Sequence, residues 1–260
     1  RDRLRSRGLG DVYKRQIEAF PNPDTLSEKL YRQIIGQYER ELRKEEQQMD
    51  DRYREMVEYY TMWTHQIKTP IAAMHLLLQE EETPVSKELQ GELFQVEQYV
   101  QMALQYLRME RMNTDLVFEK QELDDLIHQA VRKYAPLFIR RKIALQYEDV
   151  HCQILTDEKW LEFVLEQVLS NALKYTRKGK IKIYMDPQSP KTLVIEDTGI
   201  GIAPEDLPRV FERGYTGYNG RTDKRSTGIG LYLCRQIMDR LSHTIRIESV
   251  SYTHLRAHET

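Results

Sequence analysis

From Leu26 to about Glu81, long charged side chains alternate with apolar ones at helical spacing, with Gly36 the one glycine and Pro70 the one proline in the run. The pattern predicts a long helix, a coiled-coil entry into a bundle. "EEETPVSKE" (80–88) predicts a break, with Ser86 as a cap, followed by a second helix to roughly Arg111. Its apolar positions, Leu89, Leu93, Val96, Val100, Leu104 and Leu107, recur every three or four residues. Two antiparallel helices on a short turn form a hairpin whose apolar stripe stays uncovered. Pairing two copies into a four-helix bundle covers it.

After "RMNTD" the period changes. "DLVFEKQEL" reads as a strand leading into a helix near Leu123, and "KIALQYED" and "CQILTD" read as strands. "DEKWLEFVLEQVLSNALKYT" is an amphipathic helix. "KIKIYMD" and "KTLVIED" alternate as strands do, and a Gly-, Pro- and Asp-rich loop precedes the helix "GLYLCRQIMDRLS" and a strand "TIRIES". The expected fold is α+β: a helical hairpin, then antiparallel strands with interleaved helices as an α/β sandwich.

The ends follow neither period. "RDRLRSRGLGDVYKRQ" is basic but lacks the apolar core of a signal peptide. It and "SYTHLRAHET" both resemble translated sequencing-adapter sequence. The expected organisation is therefore a non-native tail over 1–16, a linker or coiled-coil helix over 17–50, and a helical hairpin over 51–113. An α/β domain over 114–250 and a second non-native tail over 251–260 complete it.

Composition narrows the class. Charged residues make up 31% and apolar residues 40%, as in a globular, helix-rich chain, and a net charge of −2 speaks against nucleic acid as a partner. Cys152 and Cys234 have no metal-ligand spacing and read as reduced thiols. "RRK" at 140–142 reads as a solvated charge run. No run of apolar residues reaches membrane-spanning length.

The chemistry begins at "WTHQIKTPIAAM" (63–74). At 100° per residue, Trp63, Ile67, Ile71, Met74 and Leu78 fall within about 80° of arc, and His65 lies roughly 160° from their centre. His65 is thus expected on the exposed face, with Thr69 beside it. Pro70 has no N–H for the carbonyl of Gln66 and should disturb the helix there. In the second domain, Glu166, Asn171 and Lys174 share a helix. An amide oxygen suits Mg²⁺ and a lysine suits phosphate. "DTGIGI" (197–202) follows a strand. "STGIGLYLC" (226–234) runs from glycines into a helix whose first amides can hold phosphate. Between them "FERGYTGYNGRTDKRS" is glycine-punctuated and charged, as a lid would be. The second glycine run lacks the lysine of a P-loop, and no acidic residue follows it as in a dinucleotide fold.

In this order, the blocks resemble the cytoplasmic half of two-component sensor histidine kinases. "HQIKTP" is similar to the phosphoacceptor box, "LEQVLSNALKYT" to the N box, "DTGIGI" to the first glycine box, "FERGY" to the phenylalanine box and "TGIGLYL" to the second glycine box. "WTHQIKTPIAAM" further resembles the peptide-antibiotic-sensing kinases of Gram-positive bacteria. The resemblance implies a dimeric four-helix bundle followed by an ATP-binding domain of the kinase, gyrase and chaperone type. His65 would attack the γ-phosphorus of ATP, Gln66 would orient its ring, and Thr69, beside Pro70, would orient water during dephosphorylation of the partner. Asn171 would hold Mg²⁺ on a helix shared with Glu166, while Lys174 and Tyr175 would approach the nucleotide. Asp197 would accept from the adenine amino group in a pocket shaped by Gly199 and Gly201. Phe211, Thr227, Gly228, Gly230 and Leu231 would bind nucleotide through the lid and the second glycine box.

The implied partners are a response regulator receiver domain, a second copy of the chain and an ABC-type peptide transporter. The implied location is the cytoplasmic side of a bacterial inner membrane. Envelope or antimicrobial-peptide stress is the implied signal. Three departures stand out. Gln66 replaces an acidic residue, and a glutamine can accept the ring N–H but not carry its proton away. Gln167 replaces the first asparagine of the N box. The family's closing glycine- and threonine-rich strand is replaced by "VSYTHLRAHET". The alternatives are a non-catalytic scaffold or partner phosphatase with a degenerate nucleotide domain, and an ATPase acting in a chaperone or topoisomerase.

Overall fold

The computed structural model describes residues 25–80, 83–109, 116–189, 191–217 and 227–249. The chain divides into two units, residues 1–60 and 61–260. Helix α1, Leu26–Glu80, contributes to both. Its start is a capping box: Glu28 N–H donates to Thr25 Oγ1 (3.3 Å) and Thr25 N–H to Glu28 Oε2 (3.0 Å). Up to Tyr60 the helix carries exposed apolar side chains, among them Tyr31, Ile35, Tyr38 and Leu42, at spacings of three and four.

In the second unit α1 turns into α2, Pro84–Met109. Thr83 and Ser86 exchange backbone-to-hydroxyl bonds at 3.0 Å in each direction. The N-cap is therefore Thr83, with Pro84 in the first helical position, and Ser86 is its reciprocal partner instead of the cap expected from sequence. The pairs Thr61–Arg108, His75–Glu97 and Leu78–Gln90 join the helices, and one number rises as the other falls. That is an antiparallel hairpin. Its inner face holds Thr64 and Ile71, whereas Trp63 and Met74, placed on the inner stripe by periodicity, are 38% and 43% exposed. Leu89 and Val96 of α2 are likewise exposed. A single neighbour covers only part of a wide apolar stripe. The helix runs through Pro70 without a break.

The expected domain boundary and the end of α2 beyond Met109 fall at 110–115, outside the described residues, as do the 1–16 and 251–260 tails. Then follow β1 (Glu119–Glu122), α3 (Leu123–Arg141), β2 (Ile143–Tyr147), β3 (Gln153–Thr156), α4 (Glu158–Tyr175), β4 (Gly179–Met185), β5 (Leu193–Asp197) and α5 (Gly230–Arg240). β1 and β3 form an antiparallel pair, and the main sheet has the order β2-β4-β5. β4–β5 is antiparallel, pairing Ile181 with Asp197, but β2–β4 is parallel, pairing Ile143 with Gly179. The all-antiparallel expectation is corrected there. The chain leaves β2, crosses through β3 and α4, and re-enters the sheet in the same direction, as a helical crossover requires.

The core gathers Leu126, Ile127 and Tyr134 of α3, Leu165, Leu169 and Leu173 of α4, Ile181 and Ile183 of β4, and Leu233 and Ile237 of α5. The alternate residues of β4 are polar: Lys182 Nζ bonds Glu196 at 3.0 Å, and Tyr184 Oη donates to Glu196 at 3.2 Å. Helices cover one face of the sheet only. "TIRIES" keeps alternating exposure over 244–249 but joins no ladder, a second correction. A cavity lined by Leu193–Glu196 on one side and Thr244–Glu248 on the other lies between it and β5, so their backbones do not meet. The expected replacement of the family's closing strand falls at 250–260, outside the described residues.

α3 is pinned at its start by Asp124, which accepts from the amides of Val150 (2.9 Å) and His151 (2.8 Å) and from the Tyr147 hydroxyl. Burial pushes the Asp124 carboxyl up, but these hydrogen bonds outweigh it and hold the group below its ordinary value. The folded carboxyl is more acidic than the unfolded one. Its stabilisation is therefore full above the unfolded pKa, about 3.9, and fades as pH falls through the lower folded value. Asp124→Asn should lower the urea midpoint at neutral pH, and the gap to wild type should narrow at a pH below the unfolded value of about 3.9. A gap of equal size at both pH values would show that the carboxylate's charge is not what holds α3.

Candidate nucleotide site

α4 begins at Asp157, whose carboxylate accepts from Trp160 N–H (3.3 Å) and from Val117 N–H (3.0 Å). Its apolar side goes to the core. The opposite side presents Gln167, Asn171 and Lys174 to a cavity of about 1260 Å³, which Tyr175, Asp197, Gly201, Thr227, Gly228, Gly230 and Leu231 also line. That volume exceeds an ordinary ligand pocket because the cavity continues into the gap beside β5. The expected N-box and glycine-box residues are therefore brought together by four different elements, with three exceptions.

Glu166 does not line the cavity. It is 7% exposed, and both its oxygens accept from Lys133 Nζ of α3 at 2.6 Å. At 100° per residue it lies about 140° around α4 from Asn171, so a helix that aims Asn171 outward must turn Glu166 toward α3. Lys133 also donates to Gln101 Oε1 of α2 at 3.1 Å. Burial, with Glu166 nearby, pushes the Glu162 carboxyl up. Phe211 stands outside the cavity, with the Arg235 guanidinium 5.7 Å from its ring centroid. Gly199 lies behind the cavity wall and makes the wall possible. A Cβ there would sit 2.7 Å from the Tyr175 carbonyl oxygen. That oxygen accepts from Ile200 N–H (3.2 Å), and Gly199 N–H donates to Asp197 Oδ1 (2.8 Å). The β5 loop is thereby laced to the end of α4.

The stem of the expected lid is tied at three points. Tyr215 Oη donates to Asp206 (2.5 Å), the Arg209 guanidinium lies 4.2 Å from the Tyr215 ring centroid, and Gly214 N–H donates to Gly228 O (2.9 Å). Residues 218–226 of the expected lid lie outside the described residues. α5 starts at Gly230, and its first amides lack intrahelical partners by geometry, on the cavity wall. Cys234 beneath them has its thiol pushed up to about 12 by burial, which makes it inert.

His65 is exposed on α1, Thr69 Oγ1 donates to its carbonyl (3.5 Å), and Gln66 and Pro70 are exposed beside it. None of these four lines the cavity. The expected solvated run at 140–142 holds for Arg140 and Lys142, which are exposed, and is corrected at Arg141, which is half-buried. Arg140 donates to Lys87 O (3.0 Å), Arg141 donates to Leu173 O (2.5 Å), and Lys142 closes α3 in the left-handed region. Lys133 and Arg141 carried no sequence signal for this site, because each acts on a residue 32 or more positions away in the chain.

The family of histidine kinase-, DNA gyrase B- and HSP90-like ATPases matches residues 156–258. The sensor histidine kinase YxdK of Bacillus subtilis (strain 168) is 34% identical over 223 residues, covering 84% of this chain and 67% of that protein. The sensor histidine kinase GraS of Staphylococcus haemolyticus (strain JCSC1435) is 33% identical over 244 residues, covering 93% of this chain and 70% of that protein. Among solved structures, the histidine kinase AdeS of Acinetobacter baumannii has a TM-score of 0.47 at 22% identity, covering 72% of this chain and 92% of that one. The chain belongs to the sensor histidine kinases, the ATP-dependent protein-histidine kinases. It agrees with the resemblance to the peptide-antibiotic-sensing kinases drawn from the phosphoacceptor box.

At Gly228 the backbone has φ +66°, and a Cβ would stand 2.4 Å from the carbonyl carbon of Gly214. Gly228→Ala should break the Gly214–Gly228 tie and weaken binding of a fluorescent ATP analogue by about tenfold or more. Unchanged affinity in a titration would show that the lid stem does not shape the site.

Proposed function

We propose that the chain transfers the γ-phosphoryl group of ATP to His65 and then to an aspartate of a response regulator receiver domain, and that it also dephosphorylates that partner. The observation that carries this is the single cavity that gathers Asn171, Lys174, Tyr175, Asp197, Gly201, Thr227, Gly228 and Gly230. In that cavity Asp197 takes the adenine amino group, and the first amides of α5 with Lys174 take the phosphates. Among the described residues no group of three or more His, Cys, Asp or Glu side chains is placed to hold a metal ion. Mg²⁺ on a nucleotide asks for one or two protein oxygens and fills the rest with phosphates and water, so the Asn171 amide oxygen on the cavity wall fits it. When bound, Mg²⁺ supplies charge neutralisation on the phosphate oxygens.

A neutral His65 nitrogen attacks the γ-phosphorus, an N–P bond forms, the bond to the β,γ-bridging oxygen breaks and ADP leaves. Gln66 accepts the other ring N–H and orients the imidazole. Since His65 lies outside the cavity wall, the nucleotide domain must reposition along the hairpin for the transfer. His65's exposure serves both encounters, first ATP and then the receiver aspartate. Trp63, Met74, Leu89 and Val96, exposed on the hairpin, support a homodimeric four-helix bundle. Envelope or antimicrobial-peptide stress as the signal and an ABC-type peptide transporter as upstream partner belong to the same reading, which rests on the phosphoacceptor-box resemblance. So does a position on the cytoplasmic side of the membrane. No helix of the described residues is long and apolar enough to cross one.

The test is incubation with γ-labelled ATP and Mg²⁺. Acid-labile, base-stable label should appear on the wild-type chain and be absent from His65→Gln. Nucleotide binding without label would favour the scaffold reading. Pro70, by denying the Gln66 carbonyl its helical bond, loosens α1 beside His65. Pro70→Ala should shift the ratio of kinase to phosphatase rates severalfold, and a ratio unchanged in paired assays would remove that role.

A further inference from the structure

We infer that Arg141 is a positioning residue for the nucleotide: it holds the last turn of α4, and with it Asn171, Lys174 and Tyr175, in place on the cavity wall. The inference rests on the kinase reading above. A helix ends with four carbonyls that have no intrahelical donor. In α4 these belong to Ala172, Leu173, Lys174 and Tyr175, and each has a partner. Thr176 N–H donates to Ala172 O (3.1 Å), and Ile200 N–H from the β5 loop donates to Tyr175 O (3.2 Å). The two carbonyls between them are taken by one side chain, with Arg141 NH1 2.5 Å from Leu173 O and 3.5 Å from Lys174 O.

The choice of arginine has a physical reason. Two adjacent carbonyls at a helix C-terminus form a small negative patch at the negative end of the macrodipole. A planar guanidinium presents several fixed donors to such a patch, whereas an ammonium is a single flexible point charge. Without Arg141, Lys174 could turn back onto the carbonyls of its own turn and away from the nucleotide phosphates. Arg141 is also well anchored. It is the last residue of α3, since Lys142 turns left-handed with its N–H on Ile139 O (3.2 Å), and β2 starts at Ile143. α3 is fixed along its length to α2 as well. Tyr134 Oη donates to Gln98 (2.8 Å), Lys133 to Gln101 (3.1 Å) and Arg140 to Lys87 O (3.0 Å). The guanidinium therefore reaches α4 from the closed end of α3, and it lines the same cavity as Asn171 and Lys174.

The test compares wild type with Arg141→Met and Arg141→Lys in the full chain. The readouts are affinity for a fluorescent ATP analogue with Mg²⁺, KM for ATP and kcat in autophosphorylation, and melting temperature without nucleotide. Arg141→Met should weaken analogue binding and raise KM about tenfold with the melting temperature nearly kept, and Arg141→Lys, which keeps the charge but not the planar fork, should recover part of the loss. Affinity within twofold of wild type in Arg141→Met would overturn the inference. So would a loss that Arg141→Lys fails to recover and that tracks a fall in melting temperature in both variants, because the role would then be structural only. Should Arg141→Met fail to fold, Arg141→Gln, which retains a neutral amide donor group, is read in the same way. A wild-type chain that binds no nucleotide would instead defeat the kinase reading.

Discussion

The second unit depends on one constraint on α4. It must bury Leu165, Leu169 and Leu173 against its neighbours and still present Gln167, Asn171 and Lys174 to the cavity. A helix can do both only if its rotation is fixed, because a slip of one residue moves every side chain by about 100°. The rotation is fixed by pairs that cannot be made otherwise. Asp157 caps the start, Glu166 accepts from Lys133 at 2.6 Å, and Arg141 and Ile200 hold the last carbonyls. Glu166 is nearly buried and Lys133 half-buried, so losing Lys133 would leave the Glu166 carboxylate without its charge partner.

The helix that does the holding, α3, also faces the hairpin. Tyr134 stacks edge-on against Phe94 of α2 with ring centroids 5.4 Å apart, and Lys133 touches Gln101 while gripping Glu166. A shift of α2 relative to α3 is therefore felt on α4 through the same lysine. The lid stem touches the hairpin too, through Thr227 and Met102 (3.4 Å) and through the Arg213 guanidinium 5.2 Å from the Tyr106 ring centroid. Hairpin and nucleotide domain thus meet through polar and aromatic contacts, and Met102 and Met109 of α2 join the core beneath α4 and α5.

Much of this was written locally. The apolar periods marked every helix from α1 to α5, and turn residues marked most strands, because amphipathic spacing and capping act within a few residues. The exposure of His65 followed from helical geometry alone, and the convergence of Asn171, Asp197 and Gly228 was legible from the order of the boxes. The hairpin stripe was only half legible. Periodicity says that Trp63 and Met74 belong to an apolar face, but not how much of that face one neighbour covers.

What the sequence by itself determined was the set of elements, their amphipathic faces and the residues that carry the chemistry, since each rests on interactions between near neighbours in the chain. Tertiary structure alone decided the rest: the parallel pairing of β2 with β4, the turning of Glu166 from the cavity to Lys133, the open gap between β5 and 244–249, and the use of Arg140 and Arg141 as anchors. Each of these depends on which distant group arrives opposite a carbonyl, a carboxylate or a strand edge. Local period and propensity carry no information about that arrival.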